Sequence, residues 1–167
     1  VADVAPLNGV NRAFVRQGLK VMGRRERVGL SALADVARMD TAPAAYHLGF
    51  MLGPRINAGG RVGKADLGAR LLATEDPHEA AALSERLDTL NTERREVENA
   101  VRAAALAQAE ERGTDGALVW AAGEGWHPGV VGIVASRLIE TYYRPTLIFT
   151  QSGVKYAASA RSVRGFD

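Results

Sequence analysis

The segment from Asp76 to Arg112 constrains this chain more than any other, because it reads as one uninterrupted helix. Asp76 suits a cap, Pro77 the first helical position, and Glu79 stands three residues after the cap. Leu83, Leu87, Leu90, Arg94, Val97, Val101, Ala104 and Gln108 follow at alternating spacings of four and three, and Gly113 ends the run. Such a helix is on the order of 55 Å long, more than one compact domain of this size requires. It either joins two lobes or pairs as a coiled-coil arm. An arginine in the seam and alanines after it make a weak zipper, which favours the connector.

The chain has 167 residues, room for one ordinary domain or parts of two. With 47% hydrophobic and 24% charged residues it can bury a core, which excludes a disordered tail or a fibrous repeat. No apolar run approaches the roughly 18 residues of a membrane span. The absence of cysteine excludes disulfides and thiolate-bound metals. The chain opens on Val1, without an initiating Met or a leader, so an internal piece of a longer product is expected. The net charge of +2 hides segregation. Residues 1–72 hold 11 basic against 5 acidic groups, residues 73–112 hold 5 against 10, and residues 113–167 hold 5 against 4. That pattern fits either an anionic partner on one surface or ordinary solvated charge.

Val1 to Leu7 reads as a strand end stopped by Pro6 and the Asn8-Gly9 turn signal. Helices are expected over about 11–22 and around 30–37. Five glycines and a proline between Gly49 and Gly63 argue against a regular helix there. The expectation is a loop lined by Arg55, Asn57 and Arg61, either a plain surface turn or a phosphate contact. After Gly113 the period changes. A strand over 117–122, a loop over 123–129, a helix over 130–143 and strands over 146–150 and 155–162 make a β-α-β-β unit.

The loop before Val130 places backbone N–H groups and a helix dipole where an anion could bind, with His127 beside them. A packed or hydrogen-bonded histidine explains His127 equally simply. Walker and dinucleotide-binding glycine spacings are both absent, which removes the common nucleotide-cofactor folds. Strand periodicity puts Ser159 and Arg161 on one face, where hydroxyl and guanidinium could grip one phosphate, although a polar outer face is the plainer account. Asp3 is a single carboxylate at a predicted strand end. One carboxylate makes no Mg²⁺ or Mn²⁺ site, so its partners would lie outside this chain.

Four blocks together resemble the RecJ-type single-stranded-DNA exonucleases of the DHH phosphoesterase superfamily: Val1–Leu7, Gly53–Arg61, Gly123–Leu138, and Ser159–Ser162 followed by Gly165–Asp167. The resemblance implies an α/β fold comprising part of a two-lobed enzyme. Residues 1–72 would be the C-terminal part of the DHH lobe, 73–112 the connecting helix, and 113–167 the start of the DHH-associated lobe. It further implies 5′→3′ hydrolysis of single-stranded DNA in recombination and repair, with two Mn²⁺ or Mg²⁺ ions, in a cytoplasmic enzyme. A helicase or single-strand-binding protein would be a fitting partner of the parent enzyme.

By the same resemblance Asp3 is a catalytic metal ligand, and His127 a catalytic contact to phosphate. Arg55, Asn57, Arg61, Arg137, Ser159, Arg161 and Ser162 would bind the DNA backbone or its 5′ end. Relatives acting on short oligonucleotides or cyclic dinucleotides carry Gly-Gly-His-His-like residues where this chain has Ala158-Ser159-Ala160-Arg161-Ser162. That difference favours long substrates. The remaining alternatives are a DHH-type oligonucleotide or cyclic-dinucleotide phosphodiesterase and a non-catalytic nucleic-acid-binding module. Holding one metal ligand, the chain by itself is expected to be inactive.

Overall fold

A computed structural model describes residues 1–3 and 5–165 of the chain. Val4 of the first block and Phe166-Asp167 of the last lie outside the described residues. The chain divides into two compact units, Val1–Thr92 and Glu93–Asp167.

The first unit is helical. It holds α1 (Gly9–Gly23), α2 (Val28–Val36), a π-helical turn (His47–Leu52) running into α3 (Gly53–Val62), α4 (Leu67–Ala73) and the start of α5 (Pro77–Arg112). Leu33, Leu52, Leu71, Leu87 and Leu90 are its largest fully buried side chains. Burying each contributes roughly 1.5–3 kcal/mol. Gly29 lets α2 meet α4 backbone to backbone, since a Cβ there would fall onto the carbonyl of Leu71.

The expected loop over 49–63 is instead helical, and the glycines explain how. A Cβ at Gly53 would stand 2.7 Å from that of Ala2, and one at Gly49 would stand 3.6 Å from the Val1 side chain. A Cβ at Gly63 would meet Leu90 at 2.7 Å. Gly53 thus opens a groove in the helix for Ala2 and Gly63 makes room for Leu90 just past its end, packing that offsets a propensity cost of about 1 kcal/mol, whereas the contact at Gly49 is an ordinary one. The expected strand at Val1–Leu7 is likewise absent among its described residues, where Ala2 and Asp3 form a turn.

Helix α5 begins as its sequence indicates, the Asp76 carboxylate accepting from the His78 N–H at 2.8 Å. Glu79 does not reach back to close a capping box. Its carboxylate accepts from Thr74 at 2.6 Å and Arg70 at 2.7 Å, and these bonds hold its pKa below the ordinary value.

The second unit joins the rest of α5 to β1 (Val119–Glu124), α6 (Pro128–Tyr142), β2 (Thr146–Ser152) and β3 (Lys155–Arg161). The sheet order is β1-β2-β3, with β1 parallel and β3 antiparallel to β2. Ile148 pairs with Ala121 on one side and Ser159 on the other. Val101, Ala105 and Ala109 of α5 pack with Val130, Val134 and Leu138 of α6 and with Val119, Ala121 and Ile148. Ala105 is buried where the spacing had pointed to Ala104, because a 3.6-residue turn drifts about 20° per heptad and carries the stripe on by one residue. The Gln108 amide accepts from the Ala122 N–H at 3.1 Å and donates to its carbonyl at 2.8 Å, closing the β1 edge as another strand would.

Because the obstruction at Gly29 is backbone rather than a mobile side chain, Gly29→Ala is expected to cost about 3 kcal/mol or more. Thermal unfolding measured by circular dichroism checks this, and a transition within about 1–2 °C of the parent's would refute the close approach.

Candidate nucleic-acid interface

In the second unit β3 crosses α6 with very little room between them. A Cβ on Gly132 would stand 3.2 Å from the Ser159 hydroxyl and 3.3 Å from the Arg161 guanidinium. Strand alternation puts Ser159 and Arg161 on this face, as the sequence indicates, and the Arg161 guanidinium donates to the Ser159 hydroxyl at 3.3 Å. A second donation from the same nitrogen, to the Ala160 carbonyl at 2.8 Å, holds the fork near the strand. Arg161 remains exposed. A guanidinium and a hydroxyl so placed can bind two oxygens of one phosphate. Ser162 follows the last strand residue, its hydroxyl 3.4 Å from the Val163 carbonyl.

His127 caps α6. Its Nδ1 accepts from the Gly129 N–H at 3.0 Å, so that nitrogen carries no proton and the donor position is Nε2. The Val130 N–H is turned back to the His127 carbonyl at 3.0 Å, and Pro128 has none to offer. Two of the N–H groups of the expected cradle, those of Gly129 and Val130, are therefore taken up by His127 itself. Side chains are left to meet an anion here. The loop leading to His127 is firmly held: Gly125 donates to the Gln151 carbonyl at 2.9 Å, and Thr150 to the Trp126 carbonyl at 2.5 Å.

Arg137 stands elsewhere on α6. Five residues beyond Gly132, it lies about 140° round the helix. Its guanidinium donates to Glu140 at 2.9 Å and comes within 3.9 Å of Glu98. The hydrogen bond to Glu140 raises the Arg137 pKa above its ordinary value, against some loss of solvation.

In the first unit Asn57 and Arg61 are one turn apart on α3, facing the same way. Arg61 is exposed and Asn57 half-buried. Arg55 points toward the packed side, donating to Asp88 of α5 at 2.7 Å and to the Met51 carbonyl at 2.7 Å. Its side chain is only 18% exposed. Asp88 and Glu79 thus draw on the acidic 73–112 segment to pair with Arg55 and Arg70 of the basic one, which accounts for part of the charge segregation. Asp3 is exposed in the turn beside Gly53, at the start of α3.

The residues here do not by themselves fit a metal centre. Among those described, no group of three or more histidines and carboxylates comes together. Asp3 alone cannot supply the several oxygen ligands of Mg²⁺ or Mn²⁺. Sequence reasoning passed over Gly132 and Glu98. Gly132 lay in a quoted motif, but only the crossing of β3 gives it a purpose.

No protein-family model matches the chain. It is 39% identical over its whole length to the single-stranded-DNA-specific exonuclease RecJ of Bacillus subtilis, spanning 22% of that relative. It is 41% identical over 99% of its length to RecJ of Escherichia coli, spanning 30% of it. The crystal structure of RecJ in complex with Mn²⁺ from Thermus thermophilus matches 99% of the chain with a TM-score of 0.88 and 38% identity, over 24% of that structure. A second, of RecJ with Mg²⁺ from the same organism, matches with a TM-score of 0.87 at 38% identity, over 26% of its chain. The chain is thus homologous along its entire length to part of RecJ, and spans less than a third of the curated relatives it matches. Its mixed helix and sheet fold is that of the corresponding part of the RecJ structures. No helix among the described residues is long and apolar enough to cross a membrane.

Replacing Gly132 by alanine adds helix propensity of about 1 kcal/mol while pushing against Ser159 and Arg161. Gly132→Ala is therefore expected to leave the unfolding temperature unchanged or higher and to weaken binding of a 5′-phosphorylated oligonucleotide. Equal affinity for both chains would mean the pair does not bind phosphate.

Proposed function

We propose that this chain is part of a metal-dependent exonuclease that hydrolyses phosphodiester bonds of single-stranded DNA from the 5′ end, in recombination and repair. Its contribution is the grip on the sugar–phosphate backbone. The observation that carries this reading is the pairing of the Ser159 hydroxyl with the Arg161 guanidinium over Gly132, in a chain homologous throughout to part of RecJ. Ser159 and Arg161 bind one phosphate, His127 presents its Nε2 near the start of α6, and Asn57 with Arg61 offers a second contact from α3. Ser162 lies at the margin of the first contact. Residues 1–72 belong to a DHH lobe, 73–112 to the connecting helix and 113–167 to a DHH-associated lobe.

RecJ of Thermus thermophilus is known with Mn²⁺ and with Mg²⁺. In the parent enzyme Asp3 is one ligand of such a site, whose remaining ligands come from outside this chain. The ions would supply the attacking hydroxide and neutralise charge on the phosphate. A cytoplasmic location suits that role, as does work beside a helicase or a single-strand-binding protein.

Backbone contacts read no sequence, so binding should be insensitive to base composition and should weaken with salt. Loss of one phosphate contact lowers the slope of log K against log salt by about 0.7 for single strands. Arg161→Gln is expected to show that decrease when anisotropy of a labelled oligonucleotide is followed across salt concentrations. An unchanged slope would remove Arg161 from the interface.

With one metal ligand, the 167-residue chain should leave 5′-labelled single-stranded DNA intact in Mn²⁺. Degradation at a rate like that of a complete RecJ would overturn this account of the site. Preference of the parent protein for dinucleotides over long strands would instead favour the oligonucleotide phosphodiesterase.

A further inference from the structure

We infer that Glu98 is a positioning residue for the phosphate-binding face of α6, acting through Arg137, whose half-exposed side chain serves as a strut between α5 and α6 and not as a contact to DNA. Glu98 is 9% exposed on α5. A carboxylate so far from water is tolerated only where cations balance it. Arg94, one turn before it on α5, donates to one of its oxygens. Arg137 of α6 approaches the other at 3.9 Å and continues to Glu140 at 2.9 Å. The alternating series Arg94, Glu98, Arg137, Glu140 ties α5 to one flank of α6. On another flank Gly132 faces Ser159 and Arg161, whose hydroxyl and guanidinium would stand 3.2 and 3.3 Å from a Cβ at this position.

A helix can respond to a lost side contact by turning about its axis. A rotation of α6 would change the spacing between Gly132 and the hydroxyl and guanidinium of β3 that lie over it. The charge pairing at Glu98 opposes that rotation. It also balances the Arg137 charge with two carboxylates, which leaves this arginine poorly suited to attract a phosphate. What is being positioned rests on the phosphate-binding reading of Ser159 and Arg161, whereas the pairing itself does not.

The test uses Glu98→Gln, Arg137→Gln and the double variant of the 167-residue chain, with two readouts. In thermal unfolding, Glu98→Gln should lower the transition by about 5–10 °C and Arg137→Gln by about 2–4 °C. The double variant should be no less stable than Glu98→Gln alone; strictly additive losses would overturn the coupling. If Glu98→Gln does not fold, Glu98→Asp takes its place in the cycle. In anisotropy with a 5′-phosphorylated deoxythymidine oligonucleotide, well below the transition, both single variants should bind about threefold to tenfold more weakly with an unchanged salt slope. A slope reduced by about 0.7 in Arg137→Gln would make Arg137 a phosphate ligand and refute the strut. Unaltered affinity would confine Glu98 to stability and refute positioning. If the parent chain binds no oligonucleotide, the phosphate reading and the positioning both fail, while the stability cycle still decides the pairing.

Discussion

One helix serves two hydrophobic cores, and the fold of each unit depends on how its stripe is divided. Leu83, Leu87 and Leu90 of α5 close the first core, and Val101, Ala105 and Ala109 enter the second. Between Leu90 and Val101 the buried positions turn polar, with Asn91 at 5% and Glu98 at 9% exposure. Apolar burial is non-directional and would permit sliding or rotation of a smooth helix against its neighbours. Charged groups are placed singly: Arg94 donates to Glu98 within α5, and Glu98 is the carboxylate that Arg137 of α6 approaches at 3.9 Å. The small alanines that follow let α6 and the sheet come close, which a leucine seam would not.

Close approach is the second theme, and glycine is its instrument. Gly29 admits the α4 backbone, Gly53 the first residues of the chain, and Gly132 the polar face of β3. At Gly29 and Gly53 a neighbour occupies the space of a side chain, and at Gly132 the ends of two side chains stand just beyond it. This use of glycine differs from its use in turns, and local composition does not distinguish the two. A stretch such as 49–63 looks like a loop when its glycines are weighed by propensity alone. It is helical because tertiary contacts outweigh about 1 kcal/mol per residue.

The same distinction separates what was legible in the sequence from what was not. The start and stop of α5 and the β-α-β-β order follow from local chemistry, namely a capping aspartate, a proline at the first position and a change of period. Ser159 and Arg161 share a face because a strand has period two, and that geometry needs no partner to be known. His127 was placed beside the right helix start, but its Nδ1 turned out to satisfy the backbone there. Arg55 and Arg137 illustrate the limit most directly. Both are arginines in glycine-bearing motifs, yet Arg55 donates to Asp88, 33 positions away, and Arg137 donates to Glu140 on its own helix while approaching Glu98 of another at 3.9 Å. Charge counts treat all arginines alike, whereas the fold gives each its own partners and exposure, Arg55 being 18% and Arg137 46% exposed.

That selection bears on how a nucleic acid can be held. A helix start with unsatisfied N–H groups binds phosphate through fixed dipoles, which favour one location for the anion. Here Gly129 and Val130 donate within the cap, and in the proposed function the phosphate is met by the guanidinium and hydroxyl of β3. A guanidinium fork accepts any backbone phosphate in the right plane, whichever base is attached. In the exonuclease proposed above, which consumes a strand one nucleotide at a time, the grip is renewed on each successive phosphate. For that task a side-chain clamp indifferent to base identity is better suited than a reader of base edges.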